Sequence, residues 1–314
     1  MQGFWSSVPS WHGADNAVTL RMGVTHIRRG VPYVRELLKL SVRAHWQRSL
    51  TRRWLGILNS HPFLGRLACT APHLLHKVYR PYLTNTLCPE RRLAALEQHY
   101  RFVIEYGLDA VVLEAAREGS LLACFEGKCG TPYEIWLRAV APLEREGELV
   151  LQLRTGGALV YSLAFSFSGS IGKHVVFVGC IQGPKSDVAP ELIRACTRSL
   201  HGLRPKNLLI GLVRQIGHDL GCTHAHLVGN TNRVVHGALR QGKVLADYDQ
   251  AWAELGAVRR PDGDFELECR DLPPPALEEV ESKRRSELRK RHALCSTVHS
   301  AVGERLLRPG KQLS

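Results

Sequence analysis

REGELVLQLRTGGALVYSLAFSFSGSIGKHVVFVGCIQG, residues 145–183, is the segment that most restricts the fold. Leu159, Tyr161, Leu163, Phe165 and Phe167 alternate with smaller residues, a period of two that suits a strand with one buried face and no helix. Gly156-Gly157 separates this run from ELVLQL (148–153) and is a strong hairpin signal. After the glycine-containing turn SGSIGK, VVFVGCIQG (175–183) is apolar throughout and resembles a central strand. The pattern predicts an antiparallel meander, to which the remaining elements must pack.

Helical periods flank it on both sides. In PYVRELLKLSVRAHWQRSLTRRWLGIL the residues Val34, Leu37, Leu38, Val42, Trp46, Leu50, Trp54 and Leu58 recur at three- and four-residue steps and predict one amphipathic helix. Arg35, Lys39, Arg43, Arg52 and Arg53 fall mostly off that stripe. A further helix is expected from about 89 to 106. Beyond the meander, a helix beginning near Ser186-Asp187 is stopped by Gly202, and the next is opened by Pro205 and closed by Gly221. THAHLV (223–228) reads as a strand, ADYDQAWAELGA (246–257) as a helix and GDFELE (263–268) as a last strand. A charged helix from Glu278 to Leu294 follows, with a frayed tail past Gly303. The expected architecture is α/β of the α+β kind: a helical N-terminal region, then a mixed, largely antiparallel sheet with flanking helices.

Charge divides the chain in the same way. Residues 1–92 hold 14 Lys and Arg against 3 Asp and Glu, residues 278–314 hold 9 against 5, and residues 93–277 hold 19 against 21. We therefore expect a basic, mainly helical N-terminal region (1–92), an α/β core (93–277) and a charged C-terminal helix and tail (278–314). A basic Arg- and Trp-bearing helix suits an anionic membrane surface or the backbone of a nucleic acid such as tRNA. It suits equally a solvated face whose arginines snorkel over the domain. No apolar run approaches the ~20 residues of a membrane span, and the N-terminus lacks the pattern of a secretory signal. Nine scattered cysteines without a C-x-x-C agree with free thiols in a reducing compartment. A cytoplasmic protein, peripheral at the inner membrane if the helix binds lipid, is the expectation.

Strong catalytic signatures are absent: no P-loop, G-x-G-x-x-G, G-x-S-x-G or H-E-x-x-H occurs. His224 and His226 in THAH have a spacing that chelates metal, but no third ligand lies nearby, so no metal is expected. Two stretches are candidate anion sites. Gln182-Gly183-Pro184-Lys185 joins a buried strand to a helix start, where free N–H groups and the helix dipole favour negative charge. Its plain alternative is an ordinary strand-to-helix loop. TRSLHGLRPKN (197–207) gathers Arg198, His201, Arg204 and Lys206, and equally describes an αα corner whose basic residues complement a helix dipole. Lys206, Asn207, Arg214, Gln215 and His218 would be the outward face of a helix-turn-helix reader, a nucleic-acid reading that the near-neutral core disfavours.

Several blocks in order resemble the bacterial VirK/YbjX family: HYRF (99–102), residues 145–167, GCIQGPK (179–185), TRSLHGLRPKNLL (197–209), DYDQAWAELG (247–256) and SKRRSELRKRHAL (282–294). The resemblance implies a cytoplasmic protein of the envelope and virulence setting, with no assigned reaction. The order of elements also resembles Gcn5-related (GNAT) acyltransferases, in which the loop after the central strand holds the pyrophosphate of coenzyme A. By that likeness Gln182, Gly183 and Lys185 would bind an acyl-CoA or aminoacyl-tRNA donor, with Asn230 after the next strand. Arg204 and Lys206 would be auxiliary anion contacts and His201 the proton acceptor for an attacking small-molecule or peptide amine. Two functions thus stand side by side: an acyl- or aminoacyl-transferase, and a non-catalytic accessory protein that holds a membrane surface or a protein partner through its basic N-terminal helices.

Overall fold

The computed structural model describes residues 17–170, 172–184, 189–235, 246–271 and 281–307. Eight strands form one sheet in the order β1-β2-β3-β4-β5-β6-β8-β7. They are β1 (Ser120–Glu126), β2 (Pro132–Ala139), β3 (Leu149–Thr155), β4 (Ala158–Ser170), β5 (Lys173–Gln182), β6 (Cys222–Leu227), β7 (Val258–Arg259) and β8 (Phe265–Glu268). The meander is present as expected, with Leu151 opposite Leu163 and Phe167 opposite Val176. Gly156 and Gly157 both take positive φ (54° and 77°), the conformation a two-residue hairpin turn requires. Every pair is antiparallel except β5 and β6. That exception follows from the two helices, α6 (Ala189–Ser199) and α7 (Pro205–Asp219), that carry the chain across the sheet between them.

α7 covers one face of the sheet. A Cβ added at Gly217 would sit 2.8 Å from Val176 Cγ2, so the glycine sets how closely helix and strand approach. α4 (Pro89–Glu105) packs against β4, where Gln98 Oε1 accepts from Ser168 Oγ at 2.8 Å and Phe102 stacks on Phe167. α5 (Asp109–Arg117) and α9 (Ser282–Leu307) complete the packing beside β1 and β2. α9 extends well past the expected end at Leu294 and past Gly303, because Cys295, Val298, Val302 and Leu306 are buried in the same core as Phe165 and Ile216. The nine cysteines are unbridged. The starts of the helix after β5, expected at Ser186-Asp187, and the break at 273–275 lie outside the described residues.

The N-terminal helices differ from expectation. In place of one amphipathic helix there are two, α1 (Val31–Trp46) and α2 (Arg48–Leu58), divided at Gln47 (φ −114°, ψ 47°) although no proline or glycine stands there. Thr51 spans the division, its hydroxyl bonding the carbonyls of Gln47 and Ala44 and the hydroxyl of Tyr79. α2 turns its apolar stripe inward: Leu50, Trp54 and Leu58 are buried. α1 docks by its other side, through Leu40 and Ala44, and leaves its stripe in solvent. α3 (Pro62–Thr70) and a 3₁₀ helix, Pro72–Tyr79, then lead to the sheet.

An almost fully buried ion pair fixes this helical layer to the sheet. Lys77 Nζ lies 2.6 Å from Glu148 Oε1, with the two side chains 3% and 1% exposed. Tyr100 donates to the other Glu148 oxygen, and Ser166 Oγ accepts from the Glu148 N–H at 2.9 Å. Burial raises the Glu148 pKa, but the Lys77 and His99 charges outweigh it and hold the carboxyl below its ordinary range.

Candidate functional site

The sequence pointed to two places, the strand-to-helix loop after β5 and the α6–α7 corner, and the fold brings them together. Tyr161, Ile193, Thr197, Arg194, Arg198, Arg204, Pro205 and Lys206 line an open groove of about 460 Å³. Gly183 lies beside two of its lining residues: a Cβ there would meet Tyr161 and Ile193 at 3.4 and 3.5 Å, ordinary contacts that a larger residue would also accept. Gln182 ends β5 opposite Ser162. Lys185 lies outside the described residues.

The charge in the groove is largely answered from within. Arg204 Nη1 and Lys206 Nζ share one oxygen of Glu254, at 3.0 and 3.4 Å. Arg194 faces Glu191 at 3.7 Å. Arg198 is exposed and has no ion-pair partner among the described residues. Four cations against two carboxylates leave a net positive groove. Burial pushes the Tyr161 hydroxyl above its ordinary pKa, and the Arg204 charge opposes that shift.

His201 and Asn230 have other engagements. His201 sits in the left-handed region (φ 53°), followed by Gly202 (φ 75°), and this pair turns the chain from α6 into α7. Arg291 of α9 donates to the His201 carbonyl from Nε and Nη2, at 3.1 and 3.0 Å. His201 does not line the groove. Asn230 lies apart from it, joining β6 to α8 (Tyr248–Ala253): its amide donates to Asp247 and its oxygen accepts from the Tyr248 N–H.

α8 also closes a split in the sheet. The β5–β6 pairing ends at Val178 and Leu227, while β5 runs on to Gln182. The buried Tyr248 ring fills the space that β6 leaves, and its hydroxyl bonds both backbone groups of Ile181. Trp252 Nε1 donates to the Val228 carbonyl at 2.8 Å from the same helix.

α1 is the exposed half of the basic, Trp-bearing segment that the sequence offers as a surface for an anionic membrane or nucleic acid. Val31, Val34, Leu38, Val42 and Trp46 are all exposed, the first and last 83% so. At about 100° per residue they span an arc of about 120° along one side of the helix. Arg35 lies within that arc, and the exposed Arg28, Arg29, Arg48, Arg52 and Arg53 surround it in the flanking segments. Glu36 is the one acidic residue of α1 and α2, and Lys39 neutralises it at 2.6 Å. The residue pattern gave the stripe; which side of the helix the core takes depends on the break at Gln47.

Among the described residues His218, Asp219 and Asp271, all exposed, stand close enough for one ligand atom of each to face a shared point, as exposed acidic groups often do. Gln215 Nε2 donates to both carboxylates, at 2.8 and 2.9 Å. No helix among the described residues is long and apolar enough to cross a membrane.

Comparison with known proteins agrees with the ordered blocks. Residues 29–304 match the family described as "Protein of unknown function (DUF535)". "Uncharacterized protein YbjX" of Escherichia coli (strain K12) is 26% identical over 254 residues, 79% of this chain and 77% of that one. "Membrane protein LapB" of Mannheimia haemolytica is 24% identical over 193 residues, 60% of this chain and 80% of that one. Among solved structures, a mutant of the cAMP-binding acyltransferase from Mycobacterium smegmatis aligns with a TM-score of 0.29 and 11% identity. The alignment covers 69% of this chain and 63% of that one, less than two thirds of its length. A TM-score at that level carries no functional argument.

Proposed function

The chain belongs to the DUF535 (VirK/YbjX) family, and from that premise we propose that it is a peripheral protein that holds an anionic membrane surface through α1. The observation that carries this reading is the solvent-facing stripe Val31, Val34, Leu38, Val42 and Trp46, set among arginines. Such a stripe loses free energy in water at about 25 cal/mol per Å² of apolar surface and recovers it at the acyl boundary. Each basic side chain near an anionic leaflet adds about 1 kcal/mol. Together they give reversible attachment without a spanning helix. The relative named "Membrane protein LapB" supports a membrane setting.

Vesicle co-sedimentation of the full chain tests it. Binding to phosphatidylglycerol-containing vesicles, weaker on phosphatidylcholine alone and lost in Val34→Glu/Leu38→Glu, is the expected result. Two results overturn it: no binding to either vesicle, or a stable dimer in lipid-free solution that the same double substitution dissociates, which assigns the stripe to a second copy.

The basic groove favours a second reading, an acyl- or aminoacyl-transferase on an envelope-related or peptide-like amine. There Gly183, Gln182 and Lys185 would meet the donor, whether acyl-CoA or aminoacyl-tRNA, with Arg204 and Lys206 at the rim; His201, which stands off the groove, is left out of this reading. Support lies in the convergence of Arg198, Arg204 and Lys206 on one groove, with Gly183 beside its Tyr161 and Ile193. Calorimetric titration with coenzyme A and with tRNA tests it. Absence of binding by both, or affinity unchanged in Arg198→Ala/Arg204→Ala, removes the donor site.

A further inference from the structure

A cavity of about 490 Å³ lies between α4 and the sheet, sharing no residue with the basic groove or with α1. Its two walls differ in charge. On the helix wall stand Arg91 and Gln98. The Arg91 guanidinium has no partner among the described residues. Gln98 Oε1 is occupied by Ser168 Oγ and the Gly169 N–H, at 2.8 and 3.2 Å, so its amide NH₂ is the group left to bind. On the strand wall stand Asp262 and the buried Asp264. One Asp264 oxygen accepts from the Gly229 N–H and from Asn232 Nδ2, at 2.8 and 2.9 Å.

The cation on the strand wall is already committed. Arg260 bonds Glu266 at 3.0 Å, Asp262 at 3.3 Å and His226 Nε2 at 3.1 Å. Because Nε2 accepts from a guanidinium, the His226 proton resides on Nδ1, as a neutral donor. Burial, and then the Arg260 charge, hold its pKa below the ordinary histidine value. Asp262 and Asp264 on the wall, with Glu266 behind Arg260, outnumber that one arginine and leave this wall acidic, opposite Arg91. Leu83, Leu87, Ala95 and Phe177 form the apolar lining between.

A simple anion would meet the carboxylates, a simple cation would meet Arg91, and an apolar ligand would strand the polar groups of both walls. We propose that this cavity binds a zwitterionic small molecule of the amino-acid or dipeptide class. Its carboxylate lies on Arg91 and Gln98, its ammonium on Asp264 and Asp262, and its apolar side chain against Leu87 and Phe177. The volume lies within the ~300–1,000 Å³ of small-molecule sites. Membrane attachment neither requires this site nor is required by it.

Isothermal titration of the full chain with L-leucine and L-leucyl-L-leucine tests the assignment. N-acetyl-leucyl-leucine removes the ammonium and leucyl-leucine amide removes the carboxylate. Each change, and each of Arg91→Glu and Gln98→Glu, is expected to weaken binding about tenfold or more, about 1.4 kcal/mol. Arg91 is exposed and has no partner among the described residues, so an unchanged melting temperature of its variant separates lost binding from lost folding. The proposal is overturned if neither zwitterion binds, or if the blocked forms and Arg91→Glu bind as tightly as the parent pair.

Discussion

The Tyr248 hydroxyl serves both backbone groups of Ile181, accepting from its N–H at 2.8 Å and donating to its carbonyl at 2.7 Å. One side chain thereby replaces the strand that β6 would have supplied beyond Val178, and Arg233 lies 3.7 Å over its ring. Tyr248→Phe keeps the ring and leaves two buried backbone groups unanswered. We expect a loss of roughly 2–4 kcal/mol, read as a lower urea midpoint with an unchanged slope. A loss well under 1 kcal/mol would mean that β5 has another partner there.

Lys77 and Glu148 give a second prediction. Lys77→Met leaves a buried carboxylate facing His99 and Tyr100, and a cost of about 3–5 kcal/mol is expected. Glu148→Gln likewise strands the lysine. The double substitution Lys77→Met/Glu148→Leu should recover most of that loss, and a double-mutant cycle on chemical denaturation measures the coupling.

Acid destabilisation follows from two buried histidines. Burial lowers the pKa of His99 and of His299 to about 4 in the fold, against 6.5 in the unfolded chain. Above pH 6.5 both states are neutral and neither histidine affects stability. Between 6.5 and about 4 the unfolded chain takes up the protons first, so stability falls with pH by up to about 3 kcal/mol for each. The depressed Glu148 pKa acts in the same direction at the lower end of this window. Unfolding free energies at pH 7 and pH 4.5 check it, and His299→Gln should flatten part of the slope.

Membrane attachment by α1 predicts a salt response and a spectroscopic one. Partition onto anionic vesicles should weaken as ionic strength rises toward 0.5 M, since the arginine contribution is screened while the apolar contribution is not. Trp46, 83% exposed in the free protein, should give a blue-shifted emission on binding. That shift should be missing in Trp46→Phe, with the other tryptophans as internal reference.

Local signals explain what was legible in the sequence. The meander is written in adjacent residues, with Gly156-Gly157 fixing its register, and it folds where the pattern places it. β2 carries its own alternation, with Tyr133, Ile135, Leu137 and Ala139 buried, but no hairpin dipeptide marks its turn from β1, where Cys129 takes φ 62°. Gly202 and Pro205 foretold the corner between α6 and α7, whereas the use of Glu254 to answer Arg204 and Lys206 depends on a helix some fifty positions away. The charged cavity could not be read at all, because Arg91, His226 and Asp264 converge only through the sheet.

The division at Gln47 places two kinds of selection on one continuous pattern. A bilayer has no fixed shape, so in α1 any large apolar residue satisfies the requirement, and relatives should exchange Val, Leu, Phe and Trp freely there. In α2 the neighbours of Leu50, Trp54 and Leu58 are solid, and volume is what counts. Positions thirty-one to forty-six should therefore drift in size while keeping their character, and positions fifty to fifty-eight should hold their size.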